Sequence, residues 1–296
     1  MIDNNIQCSK DKPNCGRIGA TFGELLLDSS LIITTNNTQL YDIKLVNCGN
    51  YIQIYYLKKP KIKKEKIDKE NSIKYIDTDD LTNINNNSIN SNNTSNKIEL
   101  KNITRSKLQC QRLAKTNSEE WKTFITLTIQ ENLTDIDKAN KKLRYFIDKV
   151  QRVYKDFKYI CIPEFQKRGA VHYHLLTNIS INDEKLIYKQ PGKEKFKHIK
   201  YWNEGYNKVD NLEKDIKKIV GYISKYMTKD IDNRLYNHRR YFYSRNLKKP
   251  SISYLNLSEI KHLEYYNKIL NNKSLIYSNT YINPYNQEFI EFNEFL

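Results

Sequence analysis

The run Gly169-Ala170-Val171-His172-Tyr173-His174-Leu175-Leu176 sets two histidines one residue apart in a stretch that otherwise reads as a β-strand. Side chains alternate faces along a strand, so His172 and His174 leave one rigid surface on the same side. Two neutral imidazoles so placed suit a metal ion. A carboxylate is near: Glu164 ends the apolar run that starts at Lys158. The link Gln166-Lys167-Arg168-Gly169 reads as a hairpin loop in which Gly169 is free to take a positive φ. Closing that hairpin brings Glu164 beside the two rings. A lone His-x-His is an ordinary feature of half-exposed strands. A second constellation gives it weight, Gly221-Tyr222-Ile223-Ser224-Lys225-Tyr226-Met227, with two tyrosines and a lysine.

The elements that must carry these residues are legible in the periodicity. Trp121–Ile129 alternates and is β-branched, so it predicts a strand with Ile125, Leu127 and Ile129 on one side and Thr126 and Thr128 on the other. A helix follows, with Thr134 as its expected N-cap and Asp135 and Asp137 in its first turn. Ile136, Ala139, Leu143, Phe146, Ile147, Val150 and Tyr154 make its apolar stripe. The two strands of the Glu164/His172 hairpin come next, then a strand near Tyr201–Asp210. A second helix is expected from Asn211 or Leu212, with Leu212, Ile216, Ile219, Val220, Ile223 and Met227 buried. Arg239–Arg245 mixes cations with aromatics and reads as an edge strand. The order from 124 to 243 is β-α-β-β-(β)-α-β. It predicts an α+β, ferredoxin-like (RRM-like) sandwich: a central antiparallel sheet with helices on one face. The helices should take the Ile125/Leu127 side, leaving the histidine side for chemistry.

Outside that region, residues 1–60 predict a small β-rich accessory part. Residues 61–98 are basic and then Asn-rich, too polar for a core, and read as a linker. The main domain spans 99–250, and 251–296 is a tail with one helix. In 296 residues, 50 Lys and Arg stand against 34 Asp and Glu, a net charge of +16. Such an excess favours a polyanionic partner, although an Asn-, Ile-, Lys- and Tyr-rich composition accounts for part of it. No apolar run is long enough to span a bilayer and no secretory signal is seen. The five cysteines lack a Cys-x-x-Cys pair. They fit reduced thiols and a cytoplasmic protein.

Taken in order, Phe124-Ile125-Thr126-Leu127-Thr128, then Glu164 with His172-Tyr173-His174, then Tyr222-Ile223-Ser224-Lys225 resemble the three motifs of the HUH endonucleases. The likeness is greatest to rolling-circle replication initiator (Rep) proteins of phage and plasmid type. It covers roughly 103–250, and Ser244-Arg245-Asn246-Leu247-Lys248-Lys249-Pro250 is also like the end of the phage-type domain. The resemblance implies a single-stranded DNA endonuclease and strand transferase. Glu164, His172 and His174 would hold a divalent ion, Mg²⁺ or Mn²⁺, though imidazoles also admit zinc. Tyr222 would be the nucleophile, with Tyr226 as second candidate if two tyrosines alternate, and Lys225 would neutralise the phosphate. On a helical wheel Tyr222 lies at the margin of the apolar stripe, beside Lys218, Lys225 and Lys229, whereas Tyr226 lies nearer its centre. Thr126, Thr128, Arg168, Lys218, Lys229, Arg239, Arg240, Arg245, Tyr241 and Tyr243 are candidates for holding DNA by charge and stacking. The partners implied are single-stranded origin DNA and a polymerase primed by the freed 3′-OH. No Gly-x-x-x-x-Gly-Lys-Ser/Thr loop is present, so a host helicase is expected. The alternatives are an HUH tyrosine transposase and a non-catalytic DNA-binding replication regulator.

Overall fold

The computed structural model describes residues 38–67, 73–75, 91–189, 196–212, 219, 221, 223, 225–226, 235, 238–282 and 288–296. Two antiparallel sheets make the α+β fold that the periodicity predicts. The seven-stranded sheet carries the candidate site. Its strands are β4 (Thr123–Thr128), β5 (Tyr159–Phe165), β6 (Val171–Thr177), β7 (Ile187–Lys189), β8 (Lys197–Ile199), β9 (Asn207–Asn211) and β10 (Phe242–Tyr243). They lie in the order β10-β5-β6-β4-β9-β8-β7. The expected edge strand is β10, paired to β5. The strand expected from Tyr201 begins only at Asn207.

Helix α2 (Ile136–Val153) buries Ile136, Ala139, Leu143, Phe146, Ile147 and Val150, the stripe read from sequence. They pack with Ile125, Leu127, Val171, Tyr173 and Leu175 on one face of the sheet. The N-cap is Asp135, not Thr134: its carboxylate accepts from the Asp137 and Lys138 backbone N–H groups at 3.0 and 3.1 Å. The Lys138 N–H above all holds the Asp135 carboxyl below its usual range. A carboxylate caps the positive end of a helix better than a hydroxyl.

The expectation of helices on one side only leaves the other face open. Instead that face carries a second apolar cluster of Phe124, Ile160, Ile162 and Leu176. Over it lie Cys110, Leu113 and Ala114 of α1 (Ser91–Thr116), together with Leu212 and the helical residues Ile219 and Ile223. The middle strands are apolar at both alternations, and burying both faces is the response. Of the second helix's expected stripe, Ile216, Val220 and Met227 lie outside the described residues.

Before the site, β1 (Thr38–Cys48), β2 (Tyr51–Ile67) and β3 (Ile73–Tyr75) form the expected β-rich part. The tail is not separate from it. In sequence order, β11 (Ser251–Leu255), the helix Ile260–Leu270, β12 (Leu275–Ile282) and β13 (Phe289–Phe295) complete the tail. The second sheet runs β11-β1-β2-β13-β12, with β3 on β2, so strands from 38–75 and 251–295 share one sheet, while 1–37 lie outside the described residues. Of the stretch read as a linker, β2 continues to Ile67 and α1 begins at Ser91, while 68–72 and 76–90 lie outside the described residues.

Helix α1 joins the two sheets. Its Arg112 donates to Gln53 at 2.9 Å and to the Tyr55 hydroxyl at 2.7 Å, and Lys115 pairs with Glu294. Past its end, buried Asn117 exchanges two hydrogen bonds of 2.9 Å with the Lys248 backbone. Among the described residues no helix is long and apolar enough to cross a membrane.

Candidate active site

Register assembles the site. Across the three strands β5, β6 and β4, Glu164 faces His172 and His172 faces Thr128. One row on, Ile162 faces His174, His174 faces Thr126, and Thr126 faces Lys208 of β9. Directly opposed residues share a face in an antiparallel ladder. Glu164, His172, His174, Thr126 and Thr128 therefore stand together, as the alternation predicted. The hairpin that aligns them turns through Gly169 at φ +94°, closed by Gln166 N–H to the Ala170 carbonyl at 2.9 Å.

His174 is the most tightly held member. It is 5% exposed, and its Nε2 lies 2.6 Å from a Glu164 carboxylate oxygen. Its Nδ1 lies 3.4 Å from the Thr126 hydroxyl. Tyr226 stacks on the ring at 3.7 Å, and Phe124 lies near parallel at 5.7 Å from His174 and 5.8 Å from Tyr226, so the three rings form one cluster. The His172 and His174 rings are 6.3 Å apart. The donor types, one carboxylate and two imidazoles, fit a divalent ion chemically. As placed, Glu164 is turned onto His174, and among the described residues no three His, Cys, Asp or Glu side chains are gathered around one point to hold a metal ion.

Tyr226 is half-buried against the second apolar cluster, and exposed Lys225 sets its Nζ 5.5 Å from the Tyr226 ring centroid. Tyr222, Lys218 and Lys229 lie outside the described residues.

The cations and aromatics at the sheet edge converge. A cleft of about 920 Å³ is lined by Arg239, Arg240, Tyr241, Tyr243 and Arg245, all singled out in the sequence. Arg144 of α2 and Asn102 of α1 also line it, and sequence reasoning missed both. Arg144 was legible only as a cation off the apolar stripe of α2; nothing local points it toward β10. Tyr241 and Tyr243 stack at 5.8 Å, and Lys249 lies over Tyr243 at 3.7 Å. Burial lowers the pKa of Arg240 and pushes that of Tyr241 up to about 12. Arg240 stays protonated, and a phosphate placed beside it would offset the cost of its partial burial.

Arg168 is used differently. Its guanidinium donates to the Ile129 and Gln130 carbonyls at 2.8 and 3.3 Å and to the Gln166 side chain at 2.8 Å. It ties the hairpin loop to the end of β4.

Residues 122–231 match the family model for the replication-associated protein of ORF2 type. The matched region holds Thr126, Thr128, Glu164, His172, His174, Tyr222, Lys225 and Tyr226, and ends before Arg239. It agrees with the likeness to replication initiators carried by the motif order. No curated protein and no solved structure matches the chain.

Proposed function

We propose that this protein, whose residues 122–231 match the replication-associated protein model of ORF2 type, is a replication initiator that nicks and rejoins single-stranded origin DNA. The observation that carries the reading is the shared face. Glu164, His172 and His174 occupy adjacent ladder positions, with a tyrosine of the motif-bearing helix laid on His174.

Glu164, His172 and His174 are the residues that would hold a divalent ion, Mg²⁺ or Mn²⁺. When bound, such an ion polarises a phosphate and stabilises charge developing on its oxygens. Thr126 and Thr128 line the same face. The attack comes from a tyrosine oxygen on phosphorus. A P–O bond to tyrosine forms, the P–O3′ bond breaks, and the 3′ oxygen leaves as a hydroxyl as the phenol gives up its proton. The product is a 5′-phosphotyrosine link and a free 3′-OH that can prime a polymerase. Because the link keeps the energy of the broken bond, a 3′-OH can attack it and rejoin the strand.

Tyr222 is the primary nucleophile in this reading. Tyr226 offers the flat of its ring to His174, which suits a clamp that fixes the imidazole. Tyr222 precedes Tyr226 by four residues, the spacing at which helical side chains share a face. Lys225, exposed between them in sequence, neutralises the scissile phosphate. Ionising a phenol at neutral pH costs roughly 4 kcal/mol, which cations nearby reduce. Arg239, Arg240 and Arg245 hold the flanking strand by its phosphates, with Tyr241 stacking a base.

The test is incubation with single-stranded origin DNA and Mn²⁺, followed by denaturing gels. A covalent adduct lost in Tyr222→Phe and kept in Tyr226→Phe supports the assignment. Adduct lost only in Tyr226→Phe reverses the two roles. Tight binding without any adduct supports a non-catalytic regulator instead.

A further inference from the structure

Beyond β4, on the side away from the arginine cleft, the same face continues over β9, β8 and β7. Lys208 faces Thr126. The pairing of Lys197 with Val209 sets His198 opposite Lys208, and Tyr188 faces His198. One row therefore runs Ile162, His174, Thr126, Lys208, His198, Tyr188 across six strands. Tyr206, two residues before Lys208, falls on this face too.

This end of the row is built like a platform. Tyr188 and Tyr206 are 40% and 48% exposed, and both rings stand against His198, at 5.6 and 5.5 Å. His198 itself is 3% exposed. Its Nδ1 donates to the Asn207 carbonyl at 2.5 Å, which leaves Nε2 an acceptor. That Nε2 is buried and meets no hydrogen-bond partner among the described residues. Lys208 supplies a cation beside it, held by Asp210 at 2.7 Å. Two tyrosine rings exposed side by side offer flat surfaces on which a base can stack.

We infer that Tyr188 and Tyr206, their rings set against His198, form a second base-binding platform for single-stranded DNA, on which a nucleobase stacks. At about 4.8 Å per strand it lies roughly 14 Å from β6, across the candidate centre from the arginine cleft. The strand is then gripped on both sides of the scissile phosphate. This rests on the initiator reading above, which supplies the single strand.

The experiment is fluorescence anisotropy with labelled oligodeoxycytidylates graded in length, without divalent metal so that nothing is cut. Wild-type affinity should rise once the oligomer is long enough to reach both grips. The double variant Tyr188→Leu/Tyr206→Leu should lose about tenfold or more on long oligomers and nothing on short ones. The variant Tyr188→Phe/Tyr206→Phe, which keeps the ring faces, should bind as wild type does. A folded leucine variant that holds long oligomers at wild-type affinity overturns the platform while leaving the initiator reading intact. If wild type binds no oligomer of any length, the initiator reading fails first. Should the leucine variant not fold, photo-crosslinking of halogenated oligomers to wild type decides: adducts at Tyr188 or Tyr206 support the platform, and adducts confined to the arginine cleft overturn it.

Discussion

The Tyr226 ring lies flat on the His174 ring, centroids 3.7 Å apart and planes 18° apart. With Glu164 on Nε2, Thr126 beside Nδ1 and Phe124 to one side, His174 is held in position and tilt. The stack depends on the ring and not on its hydroxyl. Tyr226→Leu should be less stable than Tyr226→Phe by about 1 kcal/mol, the contribution of the stack, measured by denaturant titration. Equal stability of the two variants would show that the stack is idle.

Glu164 and His174 hold each other at 2.6 Å, and a bound ion has to draw both away from that contact. Glu164→Gln retains the size and loses the charge. Mn²⁺ affinity, followed by calorimetry, should fall at least tenfold. Adduct formation should fall with it, and a chelator should abolish adduct in wild type. Unchanged Mn²⁺ binding in this variant rules Glu164 out as a ligand.

The arginine cleft should show itself in the salt dependence. Each phosphate contact to a single strand contributes about 0.7 to the slope of log affinity against log salt. Arg239→Ala/Arg240→Ala should lower that slope by roughly 1.4 and weaken all sequences alike. A loss confined to one sequence would mean that these arginines read bases instead.

Gly205 holds the β9 side of the site against the end of β4. A Cβ there would stand 2.5 Å from the Thr128 carbonyl oxygen and 2.6 Å from the Gln130 nitrogen, at φ +154°. Both neighbours are backbone, so neither can swing aside. Gly205→Ala should cost about 1–3 kcal/mol, read from thermal melts. It should also disturb Tyr206, whose carbonyl accepts from the Thr128 N–H at 2.8 Å.

Tyr159 and Tyr241 both line the arginine cleft, and burial raises each to about 12. Above pH 10 the unfolded chain ionises these phenols while the folded chain does not. Their contribution is thus fully present below pH 10 and is lost as pH rises toward about 12. The melting temperature should fall across that window, and Tyr159→Phe should flatten the fall. A profile unaltered by that substitution would place the alkaline loss elsewhere.

The strands and α2 were legible because their signals are local. Alternation separates Thr126 and His174 from Ile125 and Tyr173 within a single strand, whatever the strand pairs with. The period of Ile136 to Val150 needs only the helix's own geometry. Hence the face shared by Glu164, His172 and His174 followed from the sequence once the hairpin was seen. What pairing between distant segments decides could not be read that way. Only tertiary structure set α1 and the Ile219/Ile223 segment on the histidine face, which brought Tyr226 onto His174. It also turned Glu164 onto His174, aimed Arg144 at β10 and joined β1–β3 to β11–β13 in one sheet. The physical reason is register: a strand's sequence states which side chains share its faces, but its neighbour is chosen by packing summed over the whole fold.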